Sequence, residues 1–129
     1  MMEIRLATIE DAHAIYEIEQ QSFSVPWRLE SVLAELEGAE NKLYMVICEE
    51  NHIVGYAGAW LVYDEGQITN IAVLPSACGK GYGSKLTKQL IDECFSRGMH
   101  EIFLEVRISN LAALAMYRNL GFSVKGIRK

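Results

Sequence analysis

The sequence predicts an α/β (α+β) fold: a mixed, mostly antiparallel central sheet flanked by helices, with one parallel strand–helix–strand crossover. Three observations carry this. Residues 43–74 read as three apolar, β-branched runs broken by two short turn signals, which is a meander. At a glycine loop, residues 76–83, the apolar period changes to the i, i+4 spacing of a helix. A further strand-like run follows that helix, so strand, helix and strand form a crossover unit.

Glu3–Leu6 alternates acidic, apolar, basic, apolar, as a short strand does. Thr8 then caps a helix, with Asp11 at the third helical position as a short capping box. Ile15, Ile18, Glu19 and Ser22–Phe23 keep helical spacing, and Pro26 is expected to stop that helix. A second helix from Arg28 to Glu37 puts Leu29, Val32, Leu33 and Leu36 on one face, with Gly38 at its end. The meander runs Leu43–Cys48, Ile53–Val62 and Gln67–Leu74, with turns at Glu49–His52 and Asp64–Gly66. From Tyr82, the residues Leu86, Leu90 and Cys94 mark a helix to about Arg97, stopped by Gly98. Glu101–Val106 is the next strand. Asn110 caps a helix that runs to Leu120, Gly121 ends it, and Phe122–Ile127 is a last short strand.

The 129 residues suit one domain, and half of them are apolar, enough for a core without disulfides or metal. Cys48, Cys78 and Cys94 are odd in number and form no CxxC, which points to thiols in a reducing cytoplasm rather than a disulfide framework or a zinc site. His13, His52 and His100 are scattered and belong to no nucleophile or metal motif. No basic segment precedes an apolar one at the amino end, so no signal peptide is expected. The run Ile53–Tyr63 is too short at 11 residues to span a bilayer. The net charge of −5 argues against direct nucleic-acid binding. It conceals a split: residues 1–79 carry 3 basic and 13 acidic side chains, and residues 80–129 carry 9 basic and 4 acidic.

The loop Ser76–Gly83 follows a strand and opens a helix, where unpaired backbone N–H groups and the helix dipole favour phosphate. Gly79, Gly81 and Gly83 remove side chains that would block close approach, and Lys80, Lys85 and Lys88 add positive charge. A plain glycine-rich connection has the same composition. Two nucleotide motifs fail on spacing. GxGxxG would need glycine at Ser84, and the P-loop pattern has no match, although Glu101 does lie twenty residues past Gly81 as a dinucleotide site would want.

The combination is more specific. Asn70–Pro75, the glycine loop, Leu104–Asn110 and Met116–Phe122, the last two reading LEVRxSNxxAxxxYxxxGF, resemble the GNAT acetyltransferases. Within them the chain is similar to the RimI-type ribosomal-protein-alanine N-acetyltransferases, as are Ile18–Gln20 and Pro26–Trp27. The resemblance covers nearly the whole chain. It implies a GNAT fold and an acetyl-CoA-dependent N-acetyltransferase that acts on a protein's N-terminal amine, an N-terminal Ala of a ribosomal protein. By position, Ile71, Ala72 and Val73 would contact the acetyl and pantetheine part of acetyl-CoA. Gly79, Lys80, Gly81, Tyr82, Gly83 and Ser84 would wrap the pyrophosphate, and Asn110 would contact the cofactor. Glu105 would be the general base and Tyr117 the general acid. A monomer or weak dimer without metal or membrane is implied. The chain departs from the family at Cys78 and Gly79, where Gln or Arg and then often Arg are usual. Relatives continue through a tyrosine-rich turn into a final strand, so residues 1–129 are expected to form one N-acetyltransferase domain short of that strand.

The residues themselves leave both catalytic roles open. By alternation Glu105 shares a strand face with Phe103, as either a paired or tuned carboxylate or a strand-end Glu that reaches solvent or pairs with Arg107. Tyr117 lies two helical turns after Asn110 and suits either a core aromatic or a proton donor. Glu19, Phe23, Pro26 and Trp27 lie at or near the turn between the first two helices, where the front half is expected to shape the substrate site, and Phe23 and Trp27 equally suit a hydrophobic staple across that turn. Two other functions remain: acetylation of a small amine or lysine, and a non-catalytic acyl-CoA-binding module.

Overall fold

The computed structural model describes residues 2–38, 40–105 and 111–123. Five strands form one sheet in the order β1 (Met2–Leu6), β2 (Lys42–Glu49), β3 (His52–Val62), β4 (Glu65–Val73) and β5 (Glu101–Phe103). The first three pairings are antiparallel, and β4 with β5 is parallel. The helices are α1 (Ala12–Ser22), α2 (Leu29–Leu36), α3 (Tyr82–Ser96) and α4 (Leu111–Asn119), with single 3-10 turns at Ile9–Asp11 and Pro75–Ala77. The mixed sheet and the crossover through α3 match the sequence expectation.

Alternation along the strands divides the core between two faces. Under α1 and α2 lie Ile15, Ile18, Val32, Tyr44, Val46 and Tyr56. Under α3 lie Leu43, Met45, Ile47, Ala57, Leu86 and Leu90. The hairpin between β2 and β3 turns on Glu50 and Asn51, whose φ values of 51° and 69° match the right-handed twist of the flanking strands.

Several boundaries differ from the sequence reading for local reasons. The Thr8 N–H does donate to Asp11 Oδ2 at 2.7 Å, but the turn it caps is 3-10, and α1 starts after it. Arg5 completes this corner with bonds of 2.9 and 3.0 Å to the two Asp11 oxygens. Helix α1 stops at Ser22, four residues before Pro26, so proline is not its terminator. Phe23 is already extended, and the chain folds back until the Trp27 N–H reaches the Glu19 carboxylate at 2.9 Å. Strand β4 starts at Glu65 because the turn is confined to Tyr63 and Asp64, and Gly66 pairs with Leu61 inside the ladder.

Strand β5 covers Glu101–Phe103; of the expected Glu101–Val106, Leu104 and Glu105 lie past its end and Val106 lies outside the described residues. The cause lies in β4. Gly58 pairs with Asn70 but Ala59 pairs with Ile68, which leaves Thr69 as the extra residue of a bulge. Beyond Gln67 the ladder to β5 ends, while β4 runs on to Val73. The two parallel strands therefore share three paired positions and then part. The expected helix cap at Asn110 and the bulk of the strand Phe122–Ile127 lie outside the described residues. Phe122 itself returns its N–H to the Tyr117 carbonyl at 3.0 Å, as a helix end does.

Candidate active site

A cleft of about 420 Å³ opens where β4 has lost its β5 partner. Its floor is Ile71, Ala72 and Val73, and one wall is the end of α1, Gln21, Ser22 and Phe23. Pro75 and Cys78 carry the cleft into the glycine loop. The sequence leads one to expect Ile71–Val73 against the cofactor and leaves Phe23 between a staple and a substrate wall. It does not single out Gln21, shows Ser22 only as part of the helical spacing of α1, and marks Cys78 as a thiol and a departure from a motif.

The glycine loop is shaped for a ligand that the protein's own atoms do not replace. Gly79 and Gly81 have φ of 85° and 77°, a left-handed backbone that disfavours any side chain. Among the described residues, a Cβ added at either would meet nothing within 4 Å beyond its chain neighbours, so the space beside both is open on that side. Helix α3 begins at Tyr82, and its first-turn amides, including that of Ser84, face outward from the helix start. Gly83 sits close to Val73 and Met116, each 3.9 Å from where its Cβ would stand, which joins the loop to the cleft floor and to α4. This cradle fits a pyrophosphate: backbone donors, a helix N-terminus and room for close approach.

The charged side chains of the loop are already engaged. Lys80 Nζ lies 2.8 Å from Glu49 Oε2, and the Tyr82 hydroxyl donates to the same oxygen. Those bonds from Lys80 and Tyr82 hold the Glu49 carboxyl below its usual range. Within residues 79–84, Lys80 and Tyr82 are thus committed to Glu49, which leaves the backbone amides of that segment to a ligand.

Tyr117 is half-buried in α4, one residue after Met116, with its ring edge-on to Phe122 at 5.9 Å and 74°. Burial pushes its phenol above the ordinary value, so the hydroxyl stays protonated at neutral pH. Of its two sequence readings, Glu105 meets the strand-end one that reaches solvent. It stands two residues beyond the end of β5 and is exposed, not enclosed within a strand. Asn110 lies outside the described residues.

The most enclosed carboxylate near the cleft is Glu19, 1% exposed, in the last turn of α1. Its Oε1 accepts the Trp27 N–H at 2.9 Å. Its Oε2 accepts the Tyr56 hydroxyl and Asn70 Nδ2, the latter at 3.0 Å. Sequence spacing put Glu19 near the turn between α1 and α2 but gave no sign of this network, because Tyr56 and Asn70 are distant in the chain.

The model of the Acetyltransferase (GNAT) family matches residues 12–122. The chain belongs to the GNAT acetyltransferases. It is therefore an acyltransferase, and acetyl-CoA is its co-substrate. A putative [ribosomal protein bS18]-alanine N-acetyltransferase of Bacillus subtilis is 38% identical over 126 residues, covering 98% of this chain and 83% of that protein. The [ribosomal protein bS18]-alanine N-acetyltransferase of Escherichia coli K12 is 39% identical over 119 residues, 92% of this chain and 79% of that one. The crystal structure of the ribosomal-protein-S18-alanine N-acetyltransferase from Escherichia coli superposes with a TM-score of 0.92 at 35% identity, over 100% of this chain and 82% of that one. A PaiA N-acetyltransferase from Thermoplasma acidophilum in complex with coenzyme A shares the fold at a TM-score of 0.86 and 18% identity, over 99% of this chain and 93% of that one.

Proposed function

We propose that this GNAT enzyme transfers the acetyl group of acetyl-CoA to the N-terminal α-amine of a protein, namely the N-terminal Ala of ribosomal protein bS18. The observation that carries the substrate is the similarity, at 38–39% identity over more than nine tenths of the chain, to enzymes named for that reaction. The cleft supports it, because it places an open groove beside the end of α1 and runs into the phosphate cradle.

Acetyl-CoA supplies an activated acyl group and a thiolate leaving group. The chain's residues do the rest. Amides of residues 79–84 hold the pyrophosphate. A backbone N–H of the Ile71–Val73 segment receives the negative charge that develops on the carbonyl oxygen. Tyr117, kept protonated by burial, donates its proton to the departing sulfur. Glu105, exposed to solvent, takes the ammonium proton through water. An α-amine asks little of its base. With a pKa near 8, roughly a tenth of such an amine is neutral at pH 7, against about one in 2,500 for lysine. The acidic front half of the chain, with its 13 carboxylates, favours a cationic amino terminus. We place the reaction in the reducing cytoplasm, consistent with three free cysteines.

A substrate panel tests this. Thiol release from acetyl-CoA should be fast with a peptide bearing the bS18 amino terminus and absent when its α-amine is blocked. Turnover with small amines or internal lysines, and none with the free Ala peptide, would overturn the proposed substrate.

A further inference from the structure

Glu19 spans three parts of the molecule. It belongs to the last turn of α1, three residues before Ser22 in the cleft wall. Its Oε1 holds the turn between α1 and α2 through the Trp27 N–H. Its Oε2 holds β3 through the Tyr56 hydroxyl and β4 through Asn70 Nδ2, and Asn70 Nδ2 also donates to Tyr56 Oη at 3.1 Å. Asn70 follows the bulged Thr69 and precedes Ile71 of the cleft floor, and Tyr56 is the register partner of Ala72. A carboxylate removed from water this completely is costly unless its oxygens are satisfied. Here three donors from three segments satisfy them, and Glu19's own helix α1 and Asn70's strand β4 supply residues of the cleft wall and floor.

We infer that Glu19 is a positioning residue for acyl transfer, whose carboxylate sets the spacing between the α1 wall and the β4 floor. This rests on the reading of the cleft as the place where the acyl group meets the amine. The bulge needs such a device. Thr69 interrupts the ladder to β3, and the ladder to β5 has ended, so the backbone around Asn70 has fewer neighbours to fix it than a central strand normally has. The Asn70 side chain, bound to Glu19, replaces that restraint. The Trp27 N–H ties the returning turn to the same carboxylate, so wall and floor move together or not at all. Small errors in this spacing are expensive, because a misplacement of about 1 Å can cost about 10²-fold in rate.

The test uses the full chain and four variants. Glu19→Gln keeps the size but turns an amide NH2 toward the Asn70 NH2, two donors facing each other. Tyr56→Phe removes one donor only. Glu19→Gln with Asn70→Asp reverses donor and acceptor and restores the pair. Val32→Ala, a change in the same α1/α2 core cluster that removes none of these hydrogen bonds, serves as the stability control. The expected result for Glu19→Gln is a kcat lower by at least about tenfold with the KM for acetyl-CoA within about threefold of wild type. The reversed pair should recover at least about a third of the wild-type kcat, and Val32→Ala, compared well below its own melting temperature, should keep it. Amide hydrogen exchange should accelerate at Trp27 and at residues 70–73 together in Glu19→Gln. A folded Glu19→Gln with wild-type kcat, or faster exchange at Trp27 with β4 unchanged, would overturn the inference. If Glu19→Gln does not fold, Tyr56→Phe decides by the same kinetic and exchange readouts. If the wild type leaves the Ala peptide unmodified, the proposed substrate fails, and the exchange measurement still decides the role of Glu19.

Discussion

Lys80 Nζ lies 2.8 Å from Glu49 Oε2, so the one lysine inside the glycine loop is tied to the end of β2. The bond leaves phosphate recognition to the loop's backbone. Lys80→Ala should accordingly raise the KM for acetyl-CoA by less than about fivefold, since an exposed ion pair is worth little. Gly81→Ala should raise it by more than tenfold. A left-handed alanine costs roughly 1–2 kcal/mol, and the new Cβ enters the space a phosphate would use. Initial-rate kinetics for the two variants make the comparison, and the reverse order would move recognition from the amides to the lysine.

Tyr117→Phe should lower kcat by about 10²-fold and leave acetyl-CoA affinity nearly unchanged, because the ring and its edge contact with Phe122 remain. Equilibrium binding of acetyl-CoA alongside single-turnover rates separates the two quantities. Loss of binding together with rate would make Tyr117 a packing residue instead.

The meander, the crossover through α3 and the opening of that helix at the glycine loop were legible in the sequence, because each depends on residues close in the chain. Tyr82, Leu86 and Leu90 announce a helix by spacing alone, and Gly98 closes it with a φ of 92°. What depended on distant partners was not legible. The early end of β5 follows from a bulge at Thr69, and no local feature of Glu101–Val106 reveals that its neighbour turns away. The burial of Glu19 required knowing that Tyr56 and Asn70 would meet it from 37 and 51 residues away.

Gly58→Ala tests the packing of the α1 and α2 face. A Cβ there would stand 2.2 Å from Tyr44 Cε1, and that buried ring also carries the hydroxyl that donates to Glu35 at 2.5 Å. Displacing the ring should cost about 1–3 kcal/mol, measured by urea denaturation. A change under about 0.5 kcal/mol would mean that the ring has room to move.

Acid stability should depend on Asp11 and Glu35. Hydrogen bonds from Arg5 hold the Asp11 carboxyl below its ordinary value. Burial alone would raise Glu35, but donors on Lys42, Tyr44 and Trp60 outweigh it and leave the carboxyl low. Both groups therefore add stability that is fully present above their unfolded values, near pH 4, and is lost as pH falls through the folded ones. Melting temperatures between pH 7 and pH 3 should show a fall below about pH 4 that is shallower in Asp11→Asn. An equally steep fall in that variant would remove Asp11 from the account.

The central claim is acetyl transfer to one protein amino terminus, and intact-mass spectrometry of ribosomal proteins incubated with the enzyme and acetyl-CoA tests it most directly. The account predicts a gain of one acetyl group on bS18, located at its N-terminal Ala, and its absence when acetyl-CoA is left out. An unmodified bS18, or acetyl groups found only on lysine side chains, would contradict it.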